Sequence, residues 1–166
     1  VLKLKDSTTA TYEANTSYSV TVQASDQVNT TNTAFTISVV DVNEAPILGQ
    51  PGTAAVTENS GSSAVGALAA SDPDRGQSLT FAIDASGVTT SSGSDILGGA
   101  YGTLTLNKTT GAYTYALNET LSAVNVLTTG QSLSEQFTVK VTDSDSTAPL
   151  SASRTLTVNI AGNNDT

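Results

Sequence analysis

Oxygen-bearing side chains cluster at Asp41-Val42-Asn43-Glu44, directly after an alternating apolar segment and shortly before Pro46. The alternation of apolar and polar residues over 35–39 is typical of a half-buried strand. Pro46 lacks the backbone N–H that would continue a strand ladder. Calcium takes six to eight oxygen ligands, from carboxylates, amides, backbone carbonyls and water. The segment therefore predicts a domain junction that can hold calcium.

The turn Ser71-Asp72-Pro73-Asp74 supplies two more carboxylates. If this turn folds back toward Asp41, Asn43 and Glu44, several negative charges meet and repel one another. A divalent cation is the simplest partner that neutralises them. An isolated Asp-x-Asp is more often a solvated turn, so the prediction depends on the other motifs.

Composition excludes several classes of function. The chain of 166 residues has no Cys, His, Met or Trp, which removes thiolate catalysis, the Ser-His-Asp triad and His- or Cys-ligated metal centres. Acidic residues outnumber basic ones by 15 to 6, giving a formal charge of −9, so nucleic acid is not an expected partner. No apolar run approaches the ~18 residues of a membrane span, and residue 1 lies in mid-pattern, as in an excerpt from a longer chain. We expect neither an enzyme nor a membrane-inserted protein.

Alternation and turn residues predict an almost purely β chain. Two antiparallel neighbours are expected at 18–24 and 34–40, with a third short strand at 1–5. We interpret 86–99 as a long Gly/Ser-rich loop and expect a helical turn or two within 119–127. Further strands are expected near 54–58, 64–70, 78–83, 102–107, 112–117, 135–142 and 154–161.

An internal repeat divides the chain. Residues 35–44 are matched by residues 156–165. Residues 18–26 are matched by residues 135–143, and both of these segments are alternating strands that end in an acid. We therefore predict an all-β chain of tandem Ig-like Greek-key β-sandwiches. Residues 1–45 form the C-terminal part of the first sandwich, and 46–166 form the second.

These motifs together resemble the cadherin repeat. Residues 41–46 are similar to its linker motif, and Asp72-Pro73-Asp74 to its Asp-x-Asp motif. Thr57-Glu58-Asn59 is similar to its Pro-Glu-Asn motif, and Thr11-Tyr12-Glu13 to the end of its Leu-Asp-Arg-Glu motif. The resemblance implies calcium ligands at Glu13, Asp41, the Val42 carbonyl, Asn43, Glu44, Asp72, Asp74 and either Asp143 or Asp145, since two strand registers are open.

The chain departs from the cadherin pattern at two places. Thr11 stands where the Leu-Asp-Arg-Glu motif has its aspartate, which removes a carboxylate from the first junction. Gly162 replaces the second linker's aspartate. The resemblance therefore implies only a partial second junction, made of Glu58, Asn164 and Asp165.

Residues 50–166 also resemble the VCBS repeat of bacterial RTX-type surface adhesins, through Tyr101-Gly-Thr-Leu and the Gly111-Ala-Tyr113-Thr-Tyr115 hairpin. The resemblance implies a secreted or cell-surface protein with tandem repeats. We expect a calcium-rigidified spacer or adhesive repeat that mediates surface attachment and contacts neighbouring repeats. The alternative is a module that binds a surface glycan, or whose copies join into a filament by strand addition at exposed sheet edges.

Two weaker motifs have ordinary interpretations. Residues 93–99 resemble one RTX calcium nonapeptide, but a β-roll needs several stacked copies, so a loop is the better interpretation. Tyr101, Tyr113 and Tyr115 could form a sugar-stacking platform, yet tyrosines at alternate strand positions usually pack on a sheet face.

Overall fold

The computed structural model describes residues 9–164. It is nearly all β and divides into two compact units, the first ending at Asn43 and the second beginning at Glu44. We call them unit 1 and unit 2. The predicted strand at 1–5 and the candidate ligand Asp165 lie outside the described residues. Among residues 9–164, no helix has the length and apolar content needed to cross a membrane.

In the described part of unit 1, the strands β1 (Ser17–Ser25) and β2 (Thr30–Ser38) form one antiparallel pair. The predicted pairing of these two segments is confirmed, with Tyr18 opposite Ile37. The turn between the strands is closed by Asp26, whose Oδ1 accepts the backbone N–H groups of Val28 at 2.9 Å and Asn29 at 2.6 Å. An Asx turn of this kind lets a polar side chain replace backbone partners.

The apolar side chains of this pair stay largely in solvent. Val22 is 52% exposed, Phe35 53% and Ile37 40%. A two-stranded hairpin alone is at best marginally stable in water, because it buries too little apolar surface. The described part of unit 1 therefore buries little apolar surface between its strands.

Unit 2 has two main sheets packed face to face. The five-stranded sheet has the order β5-β11-β10-β9-β8, and the four-stranded sheet has the order β4-β13-β12-β7. A short pair, β3-β6, lies beside them. The strands are β3 (Ile47–Leu48), β4 (Ala54–Thr57), β5 (Ala64–Ala67), β6 (Ala70–Ser71), β7 (Thr80–Ile83), β8 (Thr89–Ser91), β9 (Ser94–Gly98), β10 (Gly102–Asn107), β11 (Ala112–Leu117), β12 (Ser132–Thr142) and β13 (Ser151–Ala161), with one helix, α1 (Ser122–Asn125), before β12.

The core lies between these sheets. Alternate residues of each central strand point inward, so that Leu104 and Tyr115 from one sheet, and Val139 and Leu156 from the other, are completely buried. The rings of Tyr115 and Phe137 lie 6.0 Å apart between centroids, which joins the two layers. The predicted packing role of the tyrosines is confirmed.

Glu135 also joins the two sheets. Its Oε1 accepts the hydroxyl proton of Tyr115, and its Oε2 accepts the backbone N–H of Ala100 at 2.7 Å. Burial, and then the hydrogen bond to Glu135, raise the pKa of the Tyr115 hydroxyl, so this hydroxyl stays a proton donor. The carboxylate therefore ties the β9–β10 turn to the opposite sheet.

The interpretation of 86–99 as a loop is wrong, because β8 and β9 form a hairpin there. Its turn uses Ser92 and Gly93, both with positive φ (49° and 75°). The hairpin is held by Asp95, which is 3% exposed and accepts the Ile83 N–H at 3.1 Å and the Thr90 hydroxyl at 2.8 Å. A buried carboxylate with these partners stabilises strands whose Ser and Thr side chains give no apolar alternation.

Candidate calcium-binding residues

In unit 1, two of the predicted ligands come together. Glu13 lies in a turn before β1, and Asp41 follows β2. The N–H of Val39 donates to the carbonyl of Thr16 at 2.9 Å, which holds the two ends of the hairpin together. A carboxylate oxygen of Glu13 and one of Asp41 lie within 4.8 Å of each other. Two carboxylates at this separation favour a shared cation.

In unit 2, Asp72 and Asp74 form a rigid acidic turn after β6. Asp72 Oδ1 accepts the backbone N–H of Asp74 at 2.9 Å, and Asp74 Oδ2 accepts the backbone N–H of Glu44, also at 2.9 Å. These bonds fix both carboxylates and tie the turn to the first residue of the unit.

The second oxygen of each carboxylate in this acidic turn is buried without a hydrogen-bond partner among the described residues, namely Asp72 Oδ2 and Asp74 Oδ1. Asp74 as a whole is 8% exposed. Burying a charged oxygen without a partner costs free energy, and native proteins rarely leave one unsatisfied. A hard cation that accepts oxygen ligands would satisfy both atoms, so these residues fit calcium.

Asp143 and Asp145 follow β12 and differ in environment. Asp143 is 5% exposed, and its two oxygens accept the N–H groups of Asp145 at 3.1 Å and Leu150 at 3.0 Å. Asp145 Oδ1 accepts the N–H groups of Thr147 at 2.8 Å and Ala148 at 2.7 Å. Asp145 thus closes its own loop, whereas Asp143 is the buried acid at this end of the unit.

Two loops are held side by side, one carrying Asp72 and Asp74, the other Asp143. The N–H and hydroxyl of Ser144 donate to Gln77 Oε1 at 3.1 and 2.8 Å, and the N–H of Ser78 donates to Ser144 Oγ at 2.9 Å. Gln77 and Ser144 were not predicted, because the sequence does not show which residue a polar side chain in a loop will hydrogen-bond. They place the acids Asp72, Asp74 and Asp143 at one end of unit 2, which we call the entry end.

The loop closed by Asp145 should loosen in acid. The N–H of Ala148 and then the hydroxyl of Thr147 hold the pKa of Asp145 below its ordinary value of 3.8. Its contribution to stability is therefore complete above pH 3.8 and is lost as the pH falls through the lower folded value. We expect the amide resonances of Thr147 and Ala148 to shift in that acidic range, and not in the Asp145→Asn variant. A midpoint above 3.8 would contradict the loop geometry.

Glu58 and Asn164 lie at the opposite end of unit 2. The strand β13 runs from Ser151, which pairs with Thr142 beside Asp143, to Ala161, whose carbonyl accepts the N–H of Glu58 at 2.9 Å. At ~3.3 Å per residue, that strand separates the two ends by about 33 Å. We call the second one the exit end.

At the exit end, the carboxylate of Glu58 is completely buried. Its Oε2 accepts the N–H of Asn163 at 3.4 Å, while Oε1 has no hydrogen-bond partner among the described residues. The carboxamide of Asn164 is already engaged, because its Oδ1 accepts the N–H of Thr129 at 3.0 Å. Among the described candidates, one oxygen is thus left without a partner here, against two at the entry end.

Comparison with known proteins decides the family. A family model described as "bacterial cadherin-like domain" matches residues 43–162, which is most of the chain and nearly all of unit 2. The chain belongs to the bacterial cadherin-like domain family. Domains of this kind are extracellular repeats that are typically adhesive and that interact with neighbouring repeats or copies.

Solved structures show the same fold for this bacterial cadherin-like chain. Human protocadherin-24 EC1-2 is similar over 95% of the chain and 70% of its own length, with 19% identity and a TM-score of 0.55. Mouse protocadherin-24 EC1-3 is similar over 91% of the chain and 46% of its own length, with 19% identity and a TM-score of 0.50. Among curated protein sequences, no significant match was found. At this identity, the likeness supports the fold alone.

Proposed function

We propose that this bacterial cadherin-like chain is a spacer within a larger extracellular adhesin, stiffened by calcium where unit 1 joins unit 2. The observation that carries the proposal is the pair of buried carboxylate oxygens without partners, Asp72 Oδ2 and Asp74 Oδ1. They lie in a turn whose geometry is already fixed by hydrogen bonds. A preorganised set of hard oxygen donors favours calcium, since few atoms must be reordered when the ion binds.

Both units would contribute ligands. Unit 2 offers its acidic turn, Glu44 and the buried Asp143. Unit 1 offers the close pair Glu13 and Asp41, together with Asn43 and the Val42 carbonyl. The family resemblance supports this set, which offers the carboxylate, amide and backbone carbonyl oxygens that calcium takes as ligands. The ion would supply positive charge that holds these acids together, and no catalytic chemistry follows from it.

In this proposal, calcium restricts the motion between the two units more than it stabilises the fold of unit 2. Extracellular modules bind calcium with a Kd of about 0.1 to 1 mM. At about one to ten times the Kd, linkage contributes only about 0.4 to 1.4 kcal/mol per site, against ~5 to 15 kcal/mol for a typical domain. Unit 2 has its own buried core, so it does not depend on the ion for folding.

Two observations support a place within an adhesin, namely the family of the chain and one sequence motif. The bacterial family model and the VCBS-like segment around Tyr101 support a tandem repeat of an RTX-type surface protein that attaches cells to surfaces, as in a biofilm. Extracellular placement is inferred from the family, whose domains are extracellular. We assign no enzymatic role.

One observation favours a second candidate function, self-association by strand addition. The β1–β2 pair exposes Val22, Phe35 and Ile37, and among residues 9–164 no further strand pairs with its edges. Such edges are templates for a strand from another copy. Light scattering after size exclusion separates the two functions, because a spacer stays monomeric, whereas strand addition gives oligomers whose mass rises with concentration.

Asp74→Asn tests the calcium proposal. The substitution keeps the shape of the side chain but removes the charge of a buried candidate ligand, so we expect at least a tenfold loss of calcium affinity in calorimetry. Asp84→Asn is the matched control, because Asp84 is an exposed acid whose Oδ1 lies 3.4 Å from Lys140 Nζ and is no candidate ligand. Equal losses in the two variants, or none in Asp74→Asn, would show that the site is misplaced.

A further inference from the structure

Position 162 has no room for the side chain that the linker motif requires. In the internal repeat, Gly162 corresponds to Asp41 of the first junction. A Cβ atom added at Gly162 would lie 2.6 Å from the Cβ of Leu127 and 2.6 Å from the carbonyl oxygen of Thr128. Real Cβ contacts essentially never come this close, so an aspartate here would displace the loop at 127–131. The position of that loop therefore requires a glycine at residue 162.

The loop at 127–131 is closed by its own hydrogen bonds. Gln131 Oε1 accepts the N–H of Thr128 at 2.8 Å and its hydroxyl at 3.0 Å, while the N–H of Gln131 donates to the Thr128 carbonyl at 2.9 Å. Leu127, which is 8% exposed, and the completely buried Val124 anchor the loop to the body of unit 2. A loop with both local closure and buried anchors has few alternative conformations.

This loop and Glu58 hold the chain as it leaves β13. The N–H of Gly162 donates to the carbonyl of Gln131 at 2.9 Å, and the N–H of Thr129 donates to Asn164 Oδ1 at 3.0 Å. Glu58 accepts the next N–H, that of Asn163, at 3.4 Å. Consecutive residues 162–164 are thus each hydrogen-bonded directly to the loop 127–131 or to Glu58.

We infer that the loop 127–131 is a clamp that fixes the exit end of unit 2 independently of calcium. The described residues at this end do not fit a calcium junction, because position 162 admits no ligand, Asn164 is engaged, and Glu58 Oε1 is the one oxygen without a hydrogen-bond partner among the candidates described there. Calcium takes six to eight oxygens. The contrast with a calcium-dependent entry end rests on the proposed function, whereas the clamp itself does not.

Amide hydrogen exchange of the whole chain tests the clamp. In EDTA we expect the amides of Thr129, Gly162 and Asn163 to exchange within twofold of their rates in calcium. Gln131→Ala should accelerate their exchange at least tenfold, because it removes the acceptor that closes the loop. Gln136→Ala is the control, since Gln136 is an exposed residue of β12, the strand that follows this loop. Thr128→Val removes only the hydroxyl bond and should give a smaller acceleration in the same direction, so it replaces Gln131→Ala if that variant does not fold.

Glu58→Gln separates the clamp from a hidden ion site. Its amide oxygen can still accept the Asn163 N–H, so exchange and calcium stoichiometry should stay unchanged. Loss of a bound ion in this variant, or a tenfold acceleration of exchange in EDTA, would overturn the inference. The amide of Glu44, bonded to Asp74 Oδ2, reports the entry end. If EDTA leaves that amide unchanged while Gln131→Ala opens residues 162 and 163, the calcium proposal fails and the clamp stands.

Discussion

Gly102→Ala is expected to destabilise unit 2 by about 2 to 4 kcal/mol, a large part of the stability of a typical domain. A Cβ at this position would lie 2.4 Å from the carbonyl oxygen of Ala116 and 2.5 Å from the Tyr115 hydroxyl oxygen. Neither neighbour can move freely. Ala116 is paired with Thr103 in the ladder, and Tyr115 is completely buried and bonded to Glu135. The measurement is urea unfolding followed by circular dichroism.

Gly98→Ala is the matched control for this prediction. Gly98 lies across the same hairpin, opposite Thr103, yet a Cβ there would meet no atom within 4 Å. Its substitution should change the free energy of unfolding by less than ~1 kcal/mol, because only local backbone preference changes. Equal effects of the two substitutions would mean that the close approach of Tyr115 and Glu135 does not constrain this turn.

The β10–β11 hairpin was fully predictable from the sequence, because its information is local. Inward leucines and tyrosines alternate with threonines and alanines, and both strands begin and end where the alternation does. The β8–β9 hairpin was not predictable in this way. Its Ser and Thr residues carry no apolar period, and its stability depends on the tertiary bonds of Asp95 to Ile83 and Thr90.

The candidate site likewise has a part that local sequence predicts and a part that depends on tertiary contacts. Asp72 and Asp74 were found because a fixed spacing carries their motif. Asp143 and Asp145 could not be distinguished, since their difference arises from Leu150 and Ala148, which meet them only after the loop has folded. The role of Gly162 was also beyond a sequence argument, because a missing aspartate does not reveal that Leu127 and Thr128 occupy its space.

Chelation of calcium should broaden the distribution of distances between the two units while unit 2 stays folded. The chain has no Cys, so one cysteine at exposed Gln23 and another at exposed Thr114 allow specific labelling for single-molecule energy transfer. In millimolar calcium we expect one narrow distribution, because the proposed ion would tie Glu13 and Asp41 to the acidic turn of unit 2. In EDTA these carboxylates repel, and the distribution should widen.

The same sample decides between a stiffened joint and a stabilised core. Linkage at about ten times the Kd contributes only about 1.4 kcal/mol per site, so the circular dichroism of unit 2 should be unchanged in EDTA. Asp74→Asn should show the broad distribution even in calcium, whereas Asp84→Asn should stay narrow. If the distribution keeps its width while circular dichroism reports unfolding of unit 2, calcium stabilises the core and the spacer mechanism is wrong. A broad distribution in both conditions would instead mean that no ion joins the units, and the buried oxygens of Asp72 and Asp74 would then require another partner.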